Sequence, residues 1–197
     1  MYLLELGGED DAFAAREAES AATGVARIAP GLAVADAIVP DRIRGLAYTH
    51  RASALLGRGD ADLASARAVL EAATIDREGT VAVRATDVHG SSGVSTEQAE
   101  RELGQVLVDR GFAVDLDEPD HCLRVVFADG SLEGGDDSVA GADVSVCALG
   151  WLEAESVRDF GTRAPTDKPF FQPGSMDPLL ARAVANIAGA RSGATIL

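Results

Sequence analysis

Three histidines, two cysteines and several paired carboxylates are the side chains of this chain that could do chemistry, and their spacing argues against catalysis. No G-x-G-x-x-G follows a strand pattern; Gly57-Arg-Gly59 lacks the third glycine. A G-x-S-x-G elbow and an H-E-x-x-H pair are also missing. His50 and His121 read as ordinary surface or edge residues. The pair His121-Cys122 cannot chelate in the usual way, because neighbours in a strand point to opposite faces. Cys122 and Cys147 are too far apart for a C-x-x-C site and read as small core residues. Glu9-Asp10-Asp11 and Asp136-Asp137 read as solvated charge. His89 is more interesting: its loop holds Gly90 and Gly93 and precedes a helix start, where backbone amides can hold a phosphate. A plain turn fits the same residues.

The elements that carry these residues are legible in outline. Tyr2 to Leu6 reads as a strand, followed by a Gly7-Gly8 turn and a helix from Asp10-Asp11 to about Ala22, with negative charge suited to its dipole. Val25 to Ile28 and Leu32 to Val34 read as strands parted by Pro30-Gly31, and Ile43 to Thr49 as another. Asp60 can cap a helix carrying Leu63, Arg67 and Leu70. This β-α-β-β-α order points to a ferredoxin-like half-domain over residues 1–73.

A second segment, 74–150, opens with Thr80 to Thr86. There Val81, Val83 and Ala85 alternate with Ala82 and Arg84 as in a half-buried strand. Ser95-Thr-Glu-Gln98 has capping-box spacing and starts a helix with Ala99, Leu103, Val106 and Leu107 on one stripe, ended by Gly111. Strands are expected over Phe112 to Leu116, Cys122 to Phe127 and Val144 to Leu149, with a Gly-, Asp- and Ser-rich loop over Asp129 to Asp143. The third segment, 151–197, reads as an extended linker from Phe160 to Pro173. A helix follows, with Pro178 at its first turn and a stripe of Leu180, Val184 and Ile187.

Composition narrows the class. Hydrophobic residues make up 47% of the chain and aromatics only 5%, so the core must be aliphatic. Asp plus Glu number 32 against 17 Lys plus Arg, for a net charge of −15, and Lys168 is the single lysine. That surface fits adaptation to very high salt, where the Debye length falls to roughly 3 Å at 1 M; in this respect the chain resembles proteins of salt-loving archaea. A net negative chain ordinarily repels nucleic acid, but in concentrated salt the count is a poorer guide. No apolar run approaches the roughly 20 residues that span a bilayer, and no signal peptide is read, so the expectation is a cytoplasmic protein without a membrane.

The motifs together carry a resemblance. Val81-Ala-Val-Arg84, the glycine-containing loop, Ser95-Thr-Glu-Gln-Ala-Glu-Arg-Glu-Leu-Gly104, Val114-Asp-Leu-Asp-Glu-Pro-Asp120 and Leu123-Arg-Val-Val-Phe127 resemble a THUMP domain. Arg163, Lys168-Pro-Phe-Phe-Gln-Pro-Gly-Ser-Met-Asp-Pro-Leu-Leu-Ala-Arg182 and Asn186 are similar to the linker of the archaeal tRNA (guanine-10, N2) methyltransferases. The resemblance covers essentially the whole chain. It implies an α+β protein: a ferredoxin-like half-domain (1–73), a THUMP RNA-binding domain (74–150), and the linker with the truncated start of a doubly wound methyltransferase domain (151–197).

The function so implied is to bind the acceptor end of tRNA and present guanine 10 for transfer of a methyl group to N2. The family's S-adenosylmethionine loop would begin just past Ala194-Thr-Ile-Leu197, and its Asn/Asp-Pro-Pro-Tyr motif does not occur here. No catalytic, cofactor or metal residue is therefore carried over. The implied RNA contacts are Arg84, His89, Arg124, Arg158, Arg163 and Lys168, although Arg84 and Arg124 equally fit plain exposed strand positions. The apolar helix 178–188 is expected to meet the missing domain or to self-associate. The alternative reading is a stand-alone ferredoxin-like RNA- or ligand-binding module without enzymatic activity.

Overall fold

The computed structural model describes residues 1–132, 141, 143–163, 174–191 and 193–195. β1 (Tyr2–Leu6) leads to α1 (Asp11–Ala18), whose cap is Asp10, accepting the Phe13 amide at 2.9 Å. A short ladder of β2 (Ala22–Thr23) with β5 (Ala37–Ile38) brackets the hairpin of β3 (Ala26–Ala29) and β4 (Leu32–Ala35), which turns at Pro30-Gly31. Then come α2 (Pro40–Ile43), β6 (Thr49–Gly59), α3 (Leu63–Ala72), β7 (Thr80–Asp87), α4 (Thr96–Asp109), β8 (Ala113–Val114), β9 (His121–Ser131), β10 (Asp143–Glu155) and α5 (Pro178–Ile187). Single 3-10 turns lie at Val88–Gly90 and Phe160–Arg163.

Eight strands form one mixed sheet in the order β3-β4-β1-β6-β10-β9-β7-β8. Within it, β1, α1, β3, β4, α2 and β6 give a β-α-β-β-α-β order. β1 and β3 both run antiparallel to β4, which lies between them, and β6 flanks β1. This is the split βαβ arrangement. The helix in its second position is α2, where the sequence reading used the helix over 60–72. The strand read over Ile43 to Thr49 is not there: Pro40 opens a helical turn, and β6 begins only at Thr49. Pro fits a first turn because its missing N–H needs no partner. Ile43 and Leu46 are apolar because they fill the core under α1, not because they alternate along a strand.

The helices all lie on one face. Leu4, Ala33, Ala35 and Ala52 meet α1 and α2, while Val83, Leu123, Val125, Leu149 and Trp151 meet α3 and α4. On β6, Ala52 and Ala54 share that face and join the two cores. Helix α3 therefore packs with α4, so the boundary read at 73/74 cuts it from its core; the boundary read at 150/151 falls inside β10. Gly57 and Gly59, which looked like a fragment of a nucleotide loop, lie in β6 beneath α3. A Cβ on Gly57 would come within 2.7 Å of Val69.

On the other face the sheet curls over itself. Ala29 and Leu32, near one edge, close an apolar cluster with Val126, Ala128 and Ala148 from β9 and β10, three to five strands away. The stripe read on α4 is the buried one, with Ala99, Leu103 and Leu107 fully enclosed. Each large aliphatic side chain so buried contributes about 1.5–3 kcal/mol. Residues 133–140 of the expected loop lie outside the described residues, while Asp129 to Ser131 and Asp143 belong to the β9–β10 ladder.

Candidate nucleic-acid interface

Beside the apolar cluster, the helix-free face turns polar. Arg124 of β9 reaches across β10 and β6 to Glu5 of β1, with Nε 2.7 Å from Oε1 and Nη2 2.8 Å from Oε2; Nη2 also donates to Thr86 Oγ1 at 2.8 Å. The span is possible because the sheet curls, bringing β9 over β1, where Leu3 shares an apolar cluster with Val126 and Ala128. Both charged residues are buried, at 5% and 6% exposure. Burial pulls the Arg124 pKa down, but the hydrogen bonds and charge of Glu5 outweigh it, and the guanidinium ends above its ordinary value. Arg124, read from sequence as an RNA contact, is instead a clamp between the two halves of the sheet.

Arg84 is half-buried and donates to the Leu116 carbonyl at 2.6 Å. It borders a groove of about 350 Å³ between β7 and α4, lined also by Val83, Glu97, Arg101 and Gly104. His89 is exposed in a left-handed conformation (φ +56°). The amides that its loop might have offered to a phosphate are taken, since Asp87 accepts from Ser92 N–H at 3.0 Å and Gly93 N–H at 3.1 Å. Glu9, Asp10 and Asp11 line the same cavity as His89, which further disfavours an anion.

Arg158 is exposed just beyond β10. The adjoining backbone is fixed by two bonds, Ser156 N–H to His50 O and Val157 N–H to Arg44 O, both 2.9 Å. The His50 pKa is lowered, first by burial and then by Arg158 and Arg51, while Glu5 and Glu155 pull weakly the other way. Arg51 itself is held by Glu155 at 2.7 Å and Glu5 at 3.5 Å. Arg158 thus lies near the polar face that holds Arg124; Arg84, in register with Arg124 across β7 and β9, stands on that same face but turns to the Leu116 carbonyl, whereas His89 points to another surface. The Arg163 side chain and all of Lys168 lie outside the described residues.

Two features escaped sequence reading. Glu17 of α1 is fully buried and accepts from the amides of Ala47 (2.8 Å) and Tyr48 (2.7 Å) and from Asn186 Nδ2 (2.6 Å). With Arg182 Nε on the Gly45 carbonyl at 2.9 Å, this anchors α5 on the α1–α2 side of the molecule. Ala183 and Asn186 face inward, leaving Leu180 and Val184 of the predicted stripe 38% and 44% exposed. A lone Asn in an apolar helix and a Glu amid alanines were the available signals. The second feature is Arg77, stacked 5.4 Å from the Trp151 ring and bonded to Glu153 and His121. Among the described residues no group of three potential metal ligands occurs, and no helix is long and apolar enough to cross a membrane.

No protein-family model matches the chain. It is 32% identical over 154 residues to the tRNA (guanine(10)-N2)-dimethyltransferase of Methanothermobacter thermautotrophicus, an alignment covering 77% of this chain and 41% of the relative. The chain thus spans less than half the length of that curated relative. Its fold is similar to the crystal structure of TrmN from Thermus thermophilus, with a TM-score of 0.57 at 22% identity over 96% of this chain and 55% of the other. A looser likeness, with a TM-score of 0.43 at 13% identity, links 79% of the chain to 42% of a 4-thiouridine synthetase solved with RNA and ATP. The chain is therefore homologous to a tRNA methyltransferase and carries a mixed α/β fold of the TrmN kind.

Proposed function

We propose that this chain is the tRNA-binding portion of an S-adenosylmethionine-dependent tRNA guanine-N2 methyltransferase. In this reading it grips the acceptor end of tRNA and positions guanine 10, while methyl transfer belongs to sequence outside residues 1–197. The observation that carries the reading is the 32% identity to a tRNA dimethyltransferase over 154 residues, confined to 41% of that relative. The residues described here do not fit the methyl donor: the one glycine pair of nucleotide-loop type, Gly57 and Gly59, is filled by α3. No step of the chemistry is assigned to this chain.

Exposed Arg158, with Arg163 and Lys168 in the segment that follows, is the part of the expected contact set best suited to phosphate; Arg84 is a secondary edge contact. The acidic, lysine-poor surface belongs to a protein working in concentrated salt in an archaeal cytoplasm. There, repulsion between a −15 chain and tRNA is screened. Helix α5, anchored by Glu17 and exposing Leu180 and Val184, is the docking face for the methyltransferase domain.

The test is a titration of fluorescent tRNA transcript with the chain in multimolar KCl, alongside a methyl-transfer assay. Saturable binding without methyl transfer is the expected outcome. Absence of binding at every salt concentration would remove the tRNA role from this chain.

A further inference from the structure

We propose that the groove between β7 and α4 is a docking face for a second copy of this chain. It opens at the β8 edge of the sheet and encloses about 350 Å³ between Val81 and Val83 of β7, the outer face of α4, and Val114 and Leu116 at the edge. The inference goes beyond the tRNA reading and does not depend on it.

Much of the groove wall is apolar surface left in solvent. Val108 is 39% exposed, Val114 56% and Leu116 58%. Covering such a patch is favourable, and contiguous apolar patches mark interaction sites. Helix α4 places Glu97, Arg101, Gly104 and Val108 on one face, four, three and four residues apart, away from its buried stripe. Glycine is the poorest helix former after proline. The fold does not require it here: among the described residues a Cβ on Gly104 would meet only Val83, at an ordinary 3.9 Å. What the missing side chain does is leave the helix surface bare, so that a neighbour can approach α4 closely.

Two observations choose the occupant. The first is the sheet edge. β8 pairs only with Thr80 and Val81 of β7. Further along that edge, the Ala85 N–H donates to Glu100 at 2.9 Å and the Val83 carbonyl accepts from Arg84 Nη1 at 3.4 Å. An added strand would have to break both bonds, so the partner meets the groove through side chains. The second is charge. The groove lining holds two carboxylates, Glu97 and Glu100, and two guanidinium groups, Arg84 and Arg101, which cancel in a chain of net charge −15. Two copies repel through their net charge, and a neutral wall is where that repulsion is least. Glu100 and Arg84 are committed to backbone groups, which leaves exposed Glu97 and Arg101 as rim charges of opposite sign. A rim with both signs is complementary to itself: across a twofold axis, Glu97 of each copy meets Arg101 of the other. Nucleic acid would match only half of it.

Concentrated salt screens the remaining repulsion and leaves the apolar contact in place. A copy seated here covers Arg84, so the secondary tRNA contact belongs to the separated chain, while exposed Arg158 is not part of the groove.

The experiment is sedimentation velocity of the full chain in multimolar KCl, without tRNA, over a wide range of protein concentration. The expected result is a reversible shift from one chain to two. Leu116→Asp and Gly104→Leu should each weaken self-association about tenfold or more, with the far-UV circular dichroism of the parent. Gly104→Ala should weaken it less and raise thermal stability, because alanine is the better helix former. Glu97→Arg should separate the copies by setting like charges face to face, and Glu97→Arg/Arg101→Glu should restore the dimer. A chain that stays single at every concentration overturns the proposal, as do Leu116→Asp and Gly104→Leu variants that associate like the parent. A double swap that fails to rescue overturns the twofold pairing. A single chain whose tRNA binding falls in Leu116→Asp would give the groove to RNA and overturn the proposal while the tRNA reading survives.

Discussion

Arg124, in the middle of β9, and Arg158, just past β10, stand in opposite settings. Arg124 is buried and bonded at both ends of its guanidinium fork, so its charge is spent on Glu5 and Thr86. Arg158 is exposed, and the lowered pKa of His50 owes first to burial and then to its charge. In a chain with almost no lysine, arginine supplies both the internal ion pairs and the exposed cations. The clamp arginine has its carboxylate on another strand of the sheet, whereas the exposed arginine stands where the strands have ended.

The largest test of that contrast is Arg124→Met. It leaves buried Glu5 with only Arg51 at 3.5 Å and should cost about 3–5 kcal/mol in urea unfolding. The paired change with Glu5→Leu should recover most of it, because a well-packed apolar pair replaces an ion pair of similar volume at little cost. Full stability in the single variant would mean that the clamp carries no weight. Next in size is Glu17→Ala, which orphans the buried amides of Ala47 and Tyr48 at about 1–3 kcal/mol each. It should also loosen α5, read as faster amide exchange over Pro178–Ile187 with β9 and β10 still protected.

Gly7→Ala pushes on the His50 ring and should cost about 1–3 kcal/mol as an overpacked site. Its signature is a shifted His50 resonance with the Arg124 pair intact; an unmoved resonance would mean that the ring is not seated on Gly7. The smallest effect is chemical. Burial raises the Cys147 thiol to about 11, while Cys122 is raised by burial but opposed by nearby Arg124, Arg84 and Arg51. At mildly alkaline pH an alkylating reagent should modify Cys122 well before Cys147.

How much of this was legible depended on whether the signal was local. The Ser95 cap and the Ala99, Leu103, Val106 and Leu107 stripe are set by residues a few positions apart, and both are present. Even there Gln98 turns forward rather than back, its Nε2 donating to Glu102 one turn later at 2.8 Å. Strand alternation placed Arg84 and Arg124 on the same face of their strands, but it carries no information about what the curled sheet brings against that face. The Arg124–Glu5 pair joins residues 119 positions apart. Likewise Gly7 read as part of a turn, when its missing side chain is what makes room for His50.

The central claim meets its most direct test in one anisotropy series with labelled tRNA in multimolar KCl. It compares the parent chain, the exposed-cation variant Arg158→Gln and the clamp variant Glu5→Leu/Arg124→Met. The account predicts that the Arg158 variant loses about tenfold in affinity, roughly 1.4 kcal/mol, while the clamp variant binds like the parent. Equal binding by the Arg158 variant, or a loss confined to the clamp variant, would contradict it.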